Sequence, residues 1–169
     1  MHNRLFNAIN WLIAFVGSMK LKKYGFRIDN IQTALVPYIL LLVLLTPLLL
    51  IFKFWEDSLL SLYRSMYPVF YVSIIGSILQ EIVFRGWLVY KLKEIFDCPL
   101  TVILISASLF AVMHFFIPFQ YIFVTVSFII GVGFATVYYY NPNIYLASLV
   151  HIIINLIVPI GCYFRFLNC

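Results

Sequence analysis

Charged residues are scarce in this chain, and between Asp97 and Arg165 there is no Asp, Glu, Lys or Arg at all. Overall 10% of residues are charged and 64% hydrophobic, whereas soluble domains carry about a quarter charged residues. A water-facing surface cannot be covered from this composition, which excludes an ordinary soluble fold. Cysteine is equally thin. Cys98, Cys162 and Cys169 are odd in number and show no C-x-x-C or metal-ligand spacing; they read as structural thiols. Internal repeats, glycine-rich phosphate loops, low-complexity tracts and long linkers are also missing.

What is present is apolar length. About 20 apolar residues suffice for one bilayer crossing. The uncharged stretch after Asp97 accommodates three, divided at Pro118 and at Asn141-Pro142-Asn143. Asn30 to Phe52 supplies another, and Arg64 to Lys91 brackets one that carries Glu81 and Arg85. The expected fold is an all-α polytopic transmembrane bundle of about five spans. Met1 to Met19 is short and interrupted by Asn7 and Asn10, so an N-terminal interfacial helix is expected there, with a shortened sixth span as the alternative. The chain then divides into residues 1–30 (interfacial segment and basic anchor), 31–64 (first span and loop) and 65–169 (the core).

The net charge of +5 concentrates at Lys20, Lys22, Lys23 and Arg27, with Lys91 and Lys93 on the same side of the expected topology. By the positive-inside rule this side faces the cytoplasm, where anionic lipid attracts it. Nothing in this basic patch resembles a nucleic-acid reader, so the expected partner is the lipid bilayer and no nucleic acid.

Against this apolar background three polar clusters stand out: Gln80-Glu81 with Arg85, Phe110 with His114, and His151 with Asn155. Ionisable groups at bilayer depth are costly unless they pair or line a wet cavity, and they mark function by default. At about 1.5 Å per helical residue, Glu81 lies about 15 Å from the inner side, His114 about 22 Å and His151 about 12 Å. Three nonadjacent segments thus place polar groups in one layer roughly 10 Å thick, as a shared cavity requires.

Each cluster has a bland and a chemical reading. Glu81 and Arg85 are spaced i,i+4, which suits a structural ion pair that fixes the carboxylate. His151 and Asn155 have the same spacing and can be helix-helix glue or a pair of donors for a developing oxyanion. His114 can hold a water molecule together with a group on the Glu81 helix. Two His and one Glu can also bind zinc, but no His-Glu-x-x-His pairs the ligands, so no metal and no cofactor is expected.

Gln80-Glu81-x-x-x-Arg85-Gly86, Phe110-x-x-x-His114 and His151-x-x-x-Asn155, in that order, resemble the motifs of the CAAX prenyl endopeptidase and bacteriocin-processing (CPBP, or Abi) intramembrane proteases. Gly131-Val132-Gly133 and Leu146-Ala147-Ser148 are also similar to that family, and the likeness covers roughly residues 65–160. The resemblance implies a metal-independent glutamic protease. In such an enzyme position 80 activates water, His114 helps hold it, and His151 and Asn155 form the oxyanion hole; Arg85 and Phe110 support them. The family has Glu-Glu where this chain has Gln80-Glu81, and an amide cannot accept the proton. Three explanations stand: a deliberate Glu→Gln change, a naturally silent relative that binds peptides or serves bacteriocin self-immunity, or Glu81 acting as base. A proton path or small transporter is a more distant alternative. The expected substrate is a membrane-associated peptide or protein, and richness in Ile, Phe, Tyr, Asn and Lys points to a bacterial cell membrane as its location.

Overall fold

The computed structural model describes residues 19–55, 66–115 and 120–166, and all regular structure among them is helical. In chain order these are α1 (Met19–Lys22), α2 (Ile31–Trp55), α3 (Met66–Glu81), a π-helical segment (Ile82–Val89), α4 (Tyr90–Ile95), α5 (Pro99–Val112), α6 (Gln120–Tyr140) and α7 (Ile144–Phe166). The interfacial helix expected before Met19, and the break expected at Pro118, lie outside the described residues.

Helix α2 is apolar all round. Its core stripe, Ala34, Tyr38, Leu41, Leu45 and Leu49, repeats every three or four residues, while Leu40, Val43 and Leu44 on other faces are exposed. Its segment Ile31–Leu49, mean hydropathy 2.0, is the one described stretch long and apolar enough to cross a membrane by itself. The other apolar stretches are shorter among the described residues: Pro99–Val112, Val124–Tyr140 and Ile144–Leu156. Pro37 and Pro47 lie inside α2; each removes a backbone donor, a loss that neighbouring helices and hydroxyls offset in membrane helices.

Helix ends obey their local chemistry. Pro99 opens α5 directly after the extended Cys98, where its missing N–H costs nothing. Asn143 caps α7: its Oδ1 accepts from the Leu146 N–H at 3.0 Å. Its Nδ2 donates to Arg27 O at 2.8 Å and to Asn30 Oδ1 at 2.9 Å, while Asn30 Nδ2 donates to Pro142 O. The Asn141-Pro142-Asn143 break is thus both a helix stop and an anchor for the strap over residues 23–30. Gly25 closes that strap with φ of 82°, a left-handed conformation, and a Cβ there would overlap the Tyr138 hydroxyl. The hydroxyl donates to Tyr24 O at 2.8 Å, and the Ile144 N–H donates to Gly25 O at 2.8 Å.

Basic residues gather at this end of the bundle. Lys23 Nζ lies 4.8 Å from the ring centres of both Tyr24 and Tyr90, and Lys93 Nζ donates to Tyr139 O. Cys98 is exposed and free rather than structural, because it sits in the turn that precedes α5. Hydrogen bonds from the backbone and hydroxyl of Thr101 hold its thiol below the usual range.

Helices α5 and α6 pack against each other most closely, α7 lies across α2 and α3, and the π segment touches α5, α6 and α7. Small residues permit the closest approach: a Cβ on Gly131 would come within 3.2 Å of Ala107 Cα and Phe110 Cδ1. The π segment therefore sits at the crossing point of three helices, with Glu81 immediately before it.

Candidate active site

Helix α3 hands over to the wider π turn at Glu81, and the polar stripe Ser77, Glu81, Arg85 runs through the change at i,i+4 steps. All three are buried, with Glu81 and Arg85 at 0% exposure. Fully buried charges persist only when compensated, and here the compensation is lateral. Arg85 Nε lies 3.4 Å from Glu81 Oε2, while His151 Nδ1 lies 2.8 Å from Glu81 Oε1. The ion pair with Arg85 is poorly aligned for hydrogen bonding, so Glu81 Oε2 and Arg85 Nε make none among the described residues. Arg85 Nη2 donates to Gly131 O at 3.4 Å, and its guanidinium stacks 4.3 Å over the Phe110 ring and 5.4 Å from that of Phe134. Aromatic faces of this kind attract a desolvated cation by about 2 kcal/mol.

Phe110 is the common wall. Its ring centre is 4.7 Å from that of His114, 5.8 Å from that of His151 and 5.6 Å from that of Phe84. Phe134 meets His151 from another side at 5.5 Å. His114 lies in the turn after α5, half-buried, with Nδ1 2.9 Å from Phe110 O. On α7, His151 belongs to the buried stripe of Ala147, Val150 and Ile154, and one turn later Asn155 Nδ2 donates to Ser77 Oγ at 2.9 Å. Gln80 is partly buried, and its Oε1 is shielded and without a hydrogen-bond partner among the described residues.

The structure therefore brings Glu81, Arg85, Phe110, His114, His151 and Asn155 into one neighbourhood built from α3, the π segment, α5 and α7, with Gln80 adjacent in sequence to Glu81. Two contributors escape motif spacing. Ser77 anchors Asn155, and its signal was a hydroxyl one turn before Glu81 on the same face. Phe134 supplies the second aromatic wall, with no signal beyond its place one turn after Gly131.

The arrangement offers a carboxylate fixed by a cation, an imidazole held through Nδ1, a second imidazole across a shared phenyl ring, and an amide with an N–H beyond its bond to Ser77. Such a set can position water and a carbonyl group in a site poor in bulk solvent. No group of three or more His, Cys, Asp or Glu suited to a metal ion occurs among the described residues.

Comparison with known proteins finds no match among curated proteins and none among solved structures. Residues 62–157, more than half the chain, match the family described as type II CAAX prenyl endopeptidase Rce1-like. That stretch runs from before α3 to within α7 and takes in the whole neighbourhood around Glu81; the chain belongs to the Rce1-like family of membrane-embedded CAAX-type proteases.

Proposed function

We propose that the chain is an intramembrane peptidase that hydrolyses a peptide bond of a membrane-associated peptide or protein without a metal. The observation that carries this reading is the 2.8 Å bond between Glu81 and His151, which joins residues 70 positions apart in a fully buried site. Burying an ionised carboxylate beside an imidazole is costly in a structural core, and retaining it makes sense where the pair does chemistry.

In this reading His114 and Gln80 hold the attacking water. The Gln80 oxygen accepts a hydrogen bond from it, since that oxygen is shielded and has no other partner among the described residues. As the water adds to the carbonyl, the Asn155 amide, steadied by Ser77, donates its second N–H to the oxyanion. Arg85 holds Glu81 in place through charge and the aromatic walls. The family name suggests C-terminal prenylated peptides as a first substrate class, and other membrane-bound peptides as a second.

The test is mass-spectrometric product analysis with the purified chain in liposomes, using a farnesylated CAAX-type peptide and its unprenylated counterpart. Cleavage by the chain or by its Gln80→Glu form, lost on His114→Ala, is the expected result. No cleavage by either form rejects the peptidase reading.

A second reading has its own observation: Gln80 stands where a carboxylate would accept a proton, which suits a non-catalytic protein that binds peptides or confers self-immunity against a bacteriocin. Saturable peptide binding, lost on His114→Ala with no product formed, would favour it.

A further inference from the structure

We propose that the proton acceptor in this site is Nε2 of His151, set up by Glu81, and that the side chain at position 80 only positions water. The inference rests on the peptidase reading and assigns the one role that Gln80 cannot fill.

Glu81 itself is a poor base here: Oε1 is bonded to His151, and Oε2, which makes no hydrogen bond among the described residues, lies 3.4 Å from Arg85 Nε in an ion pair that a proton on it would break. An ionised carboxylate has no proton to give. With Glu81 ionised, the 2.8 Å contact has His151 Nδ1 as the donor, and in the neutral imidazole this leaves the lone pair on Nε2. Charge balance points the same way. Glu81 and Arg85 already neutralise each other, and a third charge on an imidazole walled by Phe110 and Phe134 would have no further counter-ion among the described residues at rest. When a proton arrives, however, the Glu81 carboxylate lies directly against the imidazolium that forms, and stabilises it.

The chemistry balances with water as the only co-reactant. Water oxygen forms a bond to the peptide carbonyl carbon while one water proton passes to His151 Nε2, and the carbonyl π electrons move to oxygen. Collapse of the tetrahedral species restores the carbonyl and breaks the C–N bond. The proton held on Nε2 passes to the leaving nitrogen, so the products are a carboxylic acid and an amine and His151 is regenerated. Glu81 acts as a positioning residue throughout, and His151 as the catalytic one.

Two measurements decide the matter. The first is ¹⁵N NMR of the unaltered chain with labelled histidine, in detergent at neutral pH. His151 is expected as the Nδ1-protonated tautomer, and Glu81→Gln, whose amide can donate as well as accept, is expected to change that signature. A Nε2-protonated His151 in the unaltered chain overturns the proposal without any need for a variant to fold.

The second is liposome cleavage of the farnesylated CAAX-type peptide. The chain with Gln80 is expected to cleave, with His151→Gln losing about 10²–10⁴-fold, the usual worth of a general base. Cleavage that appears only with Gln80→Glu overturns the role of His151 while leaving the peptidase reading intact. No cleavage by either form removes the peptidase reading and this proposal together.

Discussion

Replacing Arg85 by Met tests whether the buried charge pair organises the site. Arg85 and Glu81 are both at 0% exposure, 3.4 Å apart, so removing the cation leaves a carboxylate in the bundle with only His151 to answer it among the described residues. Breaking a buried pair by deleting one partner costs about 3–5 kcal/mol, and lost stacking on Phe110 at 4.3 Å adds to that. This is a large share of the roughly 5–15 kcal/mol that holds a typical domain together. Glu81→Gln alone strands the guanidinium and carries a similar penalty. Made together, the two changes leave a neutral Gln and Met of comparable volume, and the double variant should fall short of additivity by about 3 kcal/mol, near the upper end for residues in contact. Denaturant unfolding in detergent micelles, followed by tryptophan fluorescence, gives the four stabilities of the cycle. Additivity within about 0.5 kcal/mol would refute the claim that these residues balance each other.

The strap and the caps give further expected outcomes. Gly25→Ala meets both a left-handed backbone and the Tyr138 hydroxyl, so a loss of at least about 1–2 kcal/mol is expected in the same unfolding assay; an unchanged midpoint would contradict the conformation at Gly25. Asn143→Ala removes the α7 cap together with bonds to Arg27 O and Asn30, and should cost about 2 kcal/mol, the upper end for caps. Asp29 is held below its ordinary value near 3.8 by its hydrogen bond from Arg27, with Lys22 adding to the effect. Its contribution is therefore present above about pH 4 and lost as acid protonates it below that. Asp29→Asn should lower the unfolding midpoint slightly at neutral pH and leave it unchanged near pH 2; a difference that grows in acid would reverse the assigned sign.

Much of the neighbourhood was legible because apolar composition makes each polar group conspicuous. Glu81 and Arg85 could be paired from their spacing, and the helix break at Asn141-Pro142-Asn143 from its turn chemistry. The direct bond from Glu81 to His151 was not legible. Spacing within a helix fixes which residues share a face, but not how two helices are rotated against each other, and rotation decides which imidazole nitrogen meets the carboxylate. The partnership of Ser77 with Asn155 is hidden for the same reason. The strap at Gly25 depends on a contact with Tyr138 far along the chain, and the exposure of Cys98 depends on where α5 begins. The π segment has no periodicity signal, because its side chains still read as an apolar helix.

That widened turn has a consequence for how the protein tolerates change. A π turn closes its hydrogen bonds one residue later than an α turn, so relaxing Ile82–Val89 to α geometry would rotate α3 by about 100° relative to α4. Glu81 would be carried away from His151. The outward side chains Val83 and Trp87, 48% and 55% exposed, can vary in identity with little effect, whereas inserting a further residue here would put the two halves of the site out of phase. Along this stretch the number of residues matters more than their kind.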